Sequence, residues 1–385
     1  MRVLFNALSV TNLSGRHVML GHLSRLAKWT LGQHEYVVLY HKANKDICRN
    51  LGNNVQWVEC SEYTSHWVIR SLWERIVLPV RVSKLDIDIY FSPAGTAVHG
   101  LRIPQIVFAQ NPWCLVDGLK RSWLEKIKAF LQKREYRIAM RDAAMMVFNS
   151  EYMRQAYRRN ACSEEKVSLV VYQAIDDKTQ STAFSMRNTE KRANQVLSVS
   201  VMAPHKGVET LVKAIGMTRK LHGIPVKLVL VGGWPDRKYE HQIRSLIIEL
   251  NLESEVELKG HVSDHDLYRY YAESKLFCLM SRCESFGIPA IEAQVFGTPV
   301  VSSNCCAIPE VCGKGGVYFS PDDVNGVASQ IAQLLEDDKT WNDLSDAAIE
   351  NAAKYRWELR SKPLMKMFDL NPSIVKSQIN TKMHE

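Results

Sequence analysis

A chain of 385 residues with 46% hydrophobic and 23% charged side chains has room for two ordinary globular domains and is not a disordered or collagen-like polymer. Its apolar runs stop at strand length, short of the ~20 residues a membrane-crossing helix needs, so no span is predicted. The net charge of +8 is modest but uneven, since the window from Leu119 to Arg141 holds eight Lys/Arg against two Glu.

Taken in chain order, the opening "MRVLFNALSV" has no charged lead and no cleavage site. It reads as a first buried strand and not as a signal peptide, so a cytoplasmic location is expected. The runs "VLFNA", "YVVLY", "VQWVE", "IDIYFS", "QIVFAQ", "MMVFNS" and "VSLVVY" follow, most of them separated by amphipathic segments such as His66 to Val77 and Trp123 to Arg141. That alternation predicts βα units and a parallel sheet covered on both faces. After Asp176 the stretch "DKTQSTAFSMRNTEKRAN" is polar and aperiodic, which predicts an exposed connection.

The rhythm then restarts with "VLSVSV", "VKLVLVGG", "VELKG", "LFCLM", "PVVSS" and "VYFS". The expected fold is α/β with two doubly wound Rossmann-like domains, 1–176 and 194–355, joined by a linker at 177–193. An amphipathic segment at 356–370 and a polar tail at 371–385 complete the chain. Ligand chemistry is expected at the carboxyl ends of the strands and in a cleft between the domains.

Nine cysteines form no C-x-x-C and stand at no zinc spacing with histidine. They read as reduced thiols packed as small hydrophobes, and no metal is expected. In the basic window, Trp123, Ile127, Phe130 and Leu131 fall near one helix face. Two readings stay open: an interfacial helix on anionic lipid, or a stripe packed on the N-terminal domain with solvated cations. Nucleic acid is not expected, because aromatic side chains are not interleaved with the cations as a stacking platform.

The stretch "ESFGIPAIEAQVFGTPVV" carries the most chemistry. Pro289 suits a first helical position and Gly297 a left-handed exit, which predicts a helix of about Pro289 to Phe296. Glu284 then lies in the preceding loop and Glu292 in the first turn or just beyond. The N–H groups of Phe286, Gly287 and Ile288 would emerge at the helix start, where an anion is favoured, and Gly287 has no side chain to block its approach. Carboxylates beside an anion site suit a ligand that also offers hydroxyls, such as a phosphate with sugars attached. In a plainer reading, Glu292 supports the helix dipole and Glu284 is a solvated loop acid.

The region "SRCESFGIPAIEAQVFGTPVVSSNCCAIPEVCGKGGVYFSPDD" resembles the E-x7-E signature of the retaining GT-B glycosyltransferases of the group 1 or family 4 type. Segments such as "NALSVTNLSGRH", "FNSEYMRQ", "APHKGVETLVKAI" and "ELKGHVSDHDLYRYYAESKLFCLMS" are similar to the family's in the same order, from roughly Met1 to Phe368. The resemblance implies two Rossmann-like domains facing a cleft, with a C-terminal helix crossing back to an N-terminal acceptor-binding domain. It implies retaining, metal-independent transfer of a hexosyl group from a nucleotide diphosphate sugar to a glycan or lipid-linked acceptor. The setting would be bacterial surface polysaccharide assembly with no cofactor, and a place at the inner face of the cell membrane goes with the interfacial reading of the basic window.

By the same resemblance, Glu284 contacts hydroxyls of the transferred sugar, Glu292 holds the ribose, and amides around Phe286, Gly287 and Ile288 take the diphosphate. Lys206 neutralises the leaving nucleotide, Gly260 and His261 border the base, and Gly15 belongs to a glycine loop closing over the phosphates. The family's usual Arg five residues before the lysine is replaced by Val201, with His205 and Arg282 as candidate substitutes. On the acceptor side, Gln110, followed by Asn111, stands where a His is frequent, and glutamine is no base. The "DID" at Asp86 to Asp88 imitates a metal-binding D-x-D but runs into a strand, and "GKGG" lacks P-loop spacing. The sequence does not choose between GDP-mannose, UDP-glucose and UDP-N-acetylhexosamine. It leaves two other readings, a glycoside hydrolase using the acid pair and a non-catalytic nucleotide-sugar binder.

Overall fold

Runs rich in Val, Ile, Leu and aromatic residues become strands because both faces of a parallel sheet are buried under helices. In the computed structural model, which describes residues 1–119, 121–163, 167–187 and 192–369, every such run forms one. Lys120 in the basic window, 188–191 of the 177–193 stretch, residue 370 and the 371–385 tail lie outside the described residues.

The first sheet contains β1 (Arg2–Asn6), β2 (Glu35–Tyr40), β3 (Val55–Glu59), β4 (Ile89–Ser92), β5 (Gln105–Ala109), β6 (Met145–Phe148) and β7 (Ser168–Val170), in the order β3-β2-β1-β4-β5-β6-β7. The second contains β8 (Ala193–Val199), β9 (Lys227–Val231), β10 (Val256–Gly260), β11 (Ser274–Leu279), β12 (Val300–Ser303) and β13 (Gly316–Phe319), ordered β10-β9-β8-β11-β12-β13. All pairings are parallel. Each sheet reverses its winding at one place, between β1 and β4 and between β8 and β11. At such a reversal, neighbouring strands send their loops in opposite directions and leave a crevice at their carboxyl ends.

The chain divides into two units. One is Met1–Ala174 with the segment beginning at Trp357; the other is Ile175–Arg356. In the first unit the Trp357–Asp369 helix packs on the Leu13–Trp29 helix. Trp357 is wholly buried there, against the rings of His22 and His17. Gly21 leaves the room it needs, since a Cβ at that position would stand 2.1 Å from the Trp357 ring.

One expectation changes, and one of two open readings is excluded. Within the stretch expected to be an exposed connection, Asp177–Met186 is a helix of the second unit, packed on the Ile288–Val295 and Asp264–Glu273 helices, and 188–191 lie outside the described residues. Its inward positions are Thr179 and Ala183, too small and too polar to register as an apolar period, although both are buried. Thr179 shares a hydrogen bond with the Tyr268 hydroxyl at 3.0 Å. The apolar stripe of the basic window does not pack on its own domain. The Trp123–Asp142 helix buries Ala129, Tyr136, Ala139 and Met140 and turns Trp123, Ile127, Phe130 and Leu131 to solvent.

All nine cysteines are free thiols. Asp88, in "DID", accepts the Arg2 N–H at 2.8 Å. Among the described residues no helix is long and apolar enough to cross a membrane, and no cluster of three metal-ligating side chains occurs.

Candidate active site

The winding reversal of the second sheet brings the loop after β8 beside the loop after β11, and the two are stitched together. The Arg282 N–H donates to the His205 carbonyl at 2.7 Å, and the Ser281 hydroxyl donates to the same oxygen at 3.3 Å. Gly207 adopts φ 65° directly under Met280, where a Cβ would stand 2.1 Å from the Met280 carbonyl oxygen. Only glycine permits that approach, and it fixes where the preceding lysine points.

Lys206 Nζ consequently lies 2.6 Å from Glu284 Oε2, with both side chains largely buried (15% and 17% exposed). Burial alone would raise the Glu284 pKa. The Lys206 charge, its hydrogen bond, the nearby His205 and the Ser285 N–H together outweigh that and hold the carboxyl below the ordinary glutamate value. The same burial, reinforced by the Lys206 charge, pushes His205 down to about 4. His205 is therefore neutral at physiological pH and adds no positive charge beside Lys206. Arg282 is balanced by two carboxylates, Glu209 at 3.3 Å and Asp322. Val201 is exposed.

The helix beyond the loop spans Ile288–Val295, one residue earlier than expected, with Pro289 in its first turn and Gly287 as its left-handed cap at φ 90°. A Cβ on Gly287 would make only an ordinary 3.6 Å contact with Glu284 Cγ. The left-handed backbone conformation is by itself reason for glycine there. Gly297 provides the left-handed exit at φ 71°. Phe286 is buried, its ring edge-on to Tyr355 at 5.5 Å, which anchors the backbone feeding the helix start.

Glu292 lies beyond the first turn, on a helix whose other positions are mostly buried. Its carboxylate accepts the hydroxyl of fully buried Tyr271 at 2.9 Å. Tyr271 in turn stacks on Phe296 at 5.6 Å. Sequence reasoning missed Tyr271, Gly207 and Glu209. The glycine following Lys206 was the legible signal, whereas the other two act from elements remote in sequence.

Gly260, at φ 62°, ends β10 and lines a shallow pocket of about 340 Å³ with Gly233, Trp234, Arg237, Leu258 and Lys259. His261 is exposed, its ring close enough to Gly233 that a Cβ there would meet Nε2 at 2.7 Å.

In the first unit, Gly15 is not in a loop. It occupies the first turn of the Leu13–Trp29 helix, where its N–H donates to the capping Asn12 Oδ1 at 2.7 Å. The space denied to a side chain there is taken by that cap. Gln110 follows β5 and donates to the Pro93 carbonyl at 3.4 Å. Asn111 accepts the Trp113 N–H through its side chain at 3.0 Å and the Tyr136 hydroxyl through its carbonyl at 3.2 Å.

Two Rossmann-like units of parallel strands define an α/β protein, and one of them carries a cation–carboxylate pair and a helix start at its winding reversal. The family model described as Glycosyl transferases group 1 matches residues 180–354, within the second unit, so this part of the chain is similar to the group 1 glycosyltransferases.

The O-antigen chain mannosyltransferase B of Escherichia coli is 32% identical over 165 residues, which is 42% of this chain and 42% of that protein. The MMP alpha-(1->4)-mannosyltransferase of Mycolicibacterium hassiacum is 29% identical over 181 residues, 46% of this chain and 42% of its own. The matched segments thus span about two fifths of these curated relatives. Sucrose-phosphate synthase from Thermosynechococcus elongatus superposes with a TM-score of 0.77 at 18% identity, over 96% of this chain and 98% of its own. Anabaena HepE in complex with UDP and glucose gives 0.71 at 18% identity, over 96% and 99%. The fold is of the GT-B type.

Proposed function

We propose that this protein is a retaining, metal-independent glycosyltransferase that moves a hexosyl group from a nucleotide diphosphate sugar to a hydroxyl of a glycan or lipid-linked acceptor in surface polysaccharide synthesis. The observation that carries the reading is the Lys206–Glu284 pair beside the start of the Ile288–Val295 helix. A departing diphosphate develops negative charge, and a buried ammonium with helix-start N–H groups stabilises it in a site that excludes water. Glu284, kept ionised by Lys206, accepts hydroxyls of the transferred sugar. Glu292, oriented by Tyr271, accepts those of the ribose.

In the proposed step the bond between the anomeric carbon and the diphosphate oxygen breaks, and a bond from the acceptor oxygen forms on the same face. The acceptor proton passes to the leaving phosphate, so no side-chain base is required. The curated relatives are named mannosyltransferases, which makes a mannosyl donor the first to test. A hydrolase would need one acid of the pair protonated near neutral pH, and the depressed pKa of Glu284 disfavours that role for Glu284.

Thermal melting against a panel of nucleotides and nucleotide sugars tests the reading, because a ligand confined to the folded state raises the melting temperature. Nucleotide release that requires an acceptor sugar supports transfer. Release of free sugar without an acceptor would indicate hydrolysis. A melting temperature unmoved by any nucleotide would overturn the proposal.

A further inference from the structure

Two helices of the first unit turn large apolar side chains to solvent. The Trp67–Ile76 helix has no buried residue, and Trp67, Leu72 and Ile76 are 52%, 54% and 68% exposed. On the Trp123–Asp142 helix, Trp123, Ile127 and Phe130 are 69%, 50% and 64% exposed at helical spacing. The two helices are neighbours, tied by Arg75 to Glu135 at 3.8 Å. Around that bridge opens a concavity of about 880 Å³, whose lining includes Arg75, Arg134, Arg137 and Arg141 against the single acid Glu135.

Exposed tryptophan, isoleucine and phenylalanine beside an arginine-rich concavity select the occupant by charge. A second copy of this chain, meeting the same face across a two-fold axis, would oppose arginines to arginines. A bilayer carrying anionic headgroups complements both features: the aromatic and aliphatic tips enter the headgroup–acyl boundary, and the guanidinium groups take phosphate. Since no described helix is long and apolar enough to cross, the contact is peripheral.

We propose that the exposed stripes of the Trp67–Ile76 and Trp123–Asp142 helices together dock on an anionic lipid bilayer, with the Arg75–Arg134–Arg137 concavity binding lipid phosphate. This goes beyond the transfer reaction and does not depend on it. The active-site pair is in the other unit, so its failure and the failure of the enzymatic reading are separable.

The test is co-flotation of the full chain with vesicles of phosphatidylcholine alone and of phosphatidylcholine mixed with phosphatidylglycerol. Tryptophan emission is followed in the same samples. The expected result is binding to the anionic vesicles only, weakened by salt, with a blue-shifted emission. The Trp123→Ser/Phe130→Ser and Arg134→Glu/Arg137→Glu variants should each lower partitioning by about tenfold or more. Because these positions are exposed, the melting temperature and its shift by nucleotide should stay at the native values. The proposal is overturned if the native chain does not float with anionic vesicles, or if it binds neutral vesicles equally well. It is also overturned if light scattering finds a dimer that Trp123→Ser/Phe130→Ser dissolves, which would make a second copy the occupant.

Discussion

Lys206 Nζ and Glu284 Oε2, 78 residues apart in sequence, lie 2.6 Å from each other at the carboxyl ends of β8 and β11. The two charges therefore satisfy each other, and under the proposed function a sugar donor would share this bond. Lys206→Met should reduce the rate of nucleotide release by about 10²–10³-fold, the usual cost of removing one group that stabilises a leaving charge. It also strands a largely buried carboxylate, at about 1–3 kcal/mol of stability. Adding Glu284→Gln should restore part of that stability but none of the rate. Initial rates together with melting curves check both halves.

Tyr271→Phe removes the hydroxyl that holds Glu292 while keeping the stacked ring. The donor KM should rise by about three- to tenfold, the worth of roughly one hydrogen bond, with kcat nearly unchanged. A fall in kcat with unchanged KM would mean that Glu292 acts in the chemical step instead of in ribose binding.

Gly207 and Gly287 both have positive φ, yet their substitutions should behave differently. Gly287→Ala costs about 1–2 kcal/mol of backbone strain, and Gly287→Asn recovers part of it, because asparagine tolerates the left-handed region. Gly207→Ala and Gly207→Asn should both be far worse, since any Cβ collides with the Met280 carbonyl. Chemical denaturation of the four variants provides the comparison. Equal losses at the two sites would contradict it.

His22 is buried beneath Trp357, its Nδ1 within 2.9 Å of Ser361 Oγ, and its pKa is lowered to about 3 by burial and by the charges of His17 and Arg25. The unfolded chain binds this proton near pH 6.5, so the folded state loses stability as pH falls from there towards 3. By about pH 5 the loss reaches roughly 2 kcal/mol from this group alone. The first unit should therefore melt at lower temperature at pH 5 than at pH 7.5, and His22→Gln should flatten that difference. An unchanged pH profile in the variant would assign the acid sensitivity elsewhere.

The strands were legible because a parallel sheet buries both faces, leaving runs such as "VKLVLV" with no polar alternation to confuse the period. The Ile288–Val295 helix was legible from Pro289 and Gly297, each of which does locally what its backbone chemistry allows. The Asp177–Met186 helix was not, because its contact face is Thr179 and Ala183, and burial of small or polar groups leaves no hydrophobic signature. Gly15 showed the opposite failing: a glycine in a suggestive motif proved to be a capped first-turn residue.

By itself the sequence determined the α/β class and the two sheets, since these depend on local periodicity, while the acidic pair and Lys206 were singled out by the resemblance of their motifs. Only the tertiary structure decided the strand order, the winding reversal between β8 and β11, and the meeting of Lys206 with Glu284. It also decided that Tyr271 restrains Glu292, that two carboxylates already balance Arg282, and that the Trp123–Phe130 stripe faces water. Each of these depends on which distant segments become neighbours, and that is selected by the packing of the whole chain, not by any window along it.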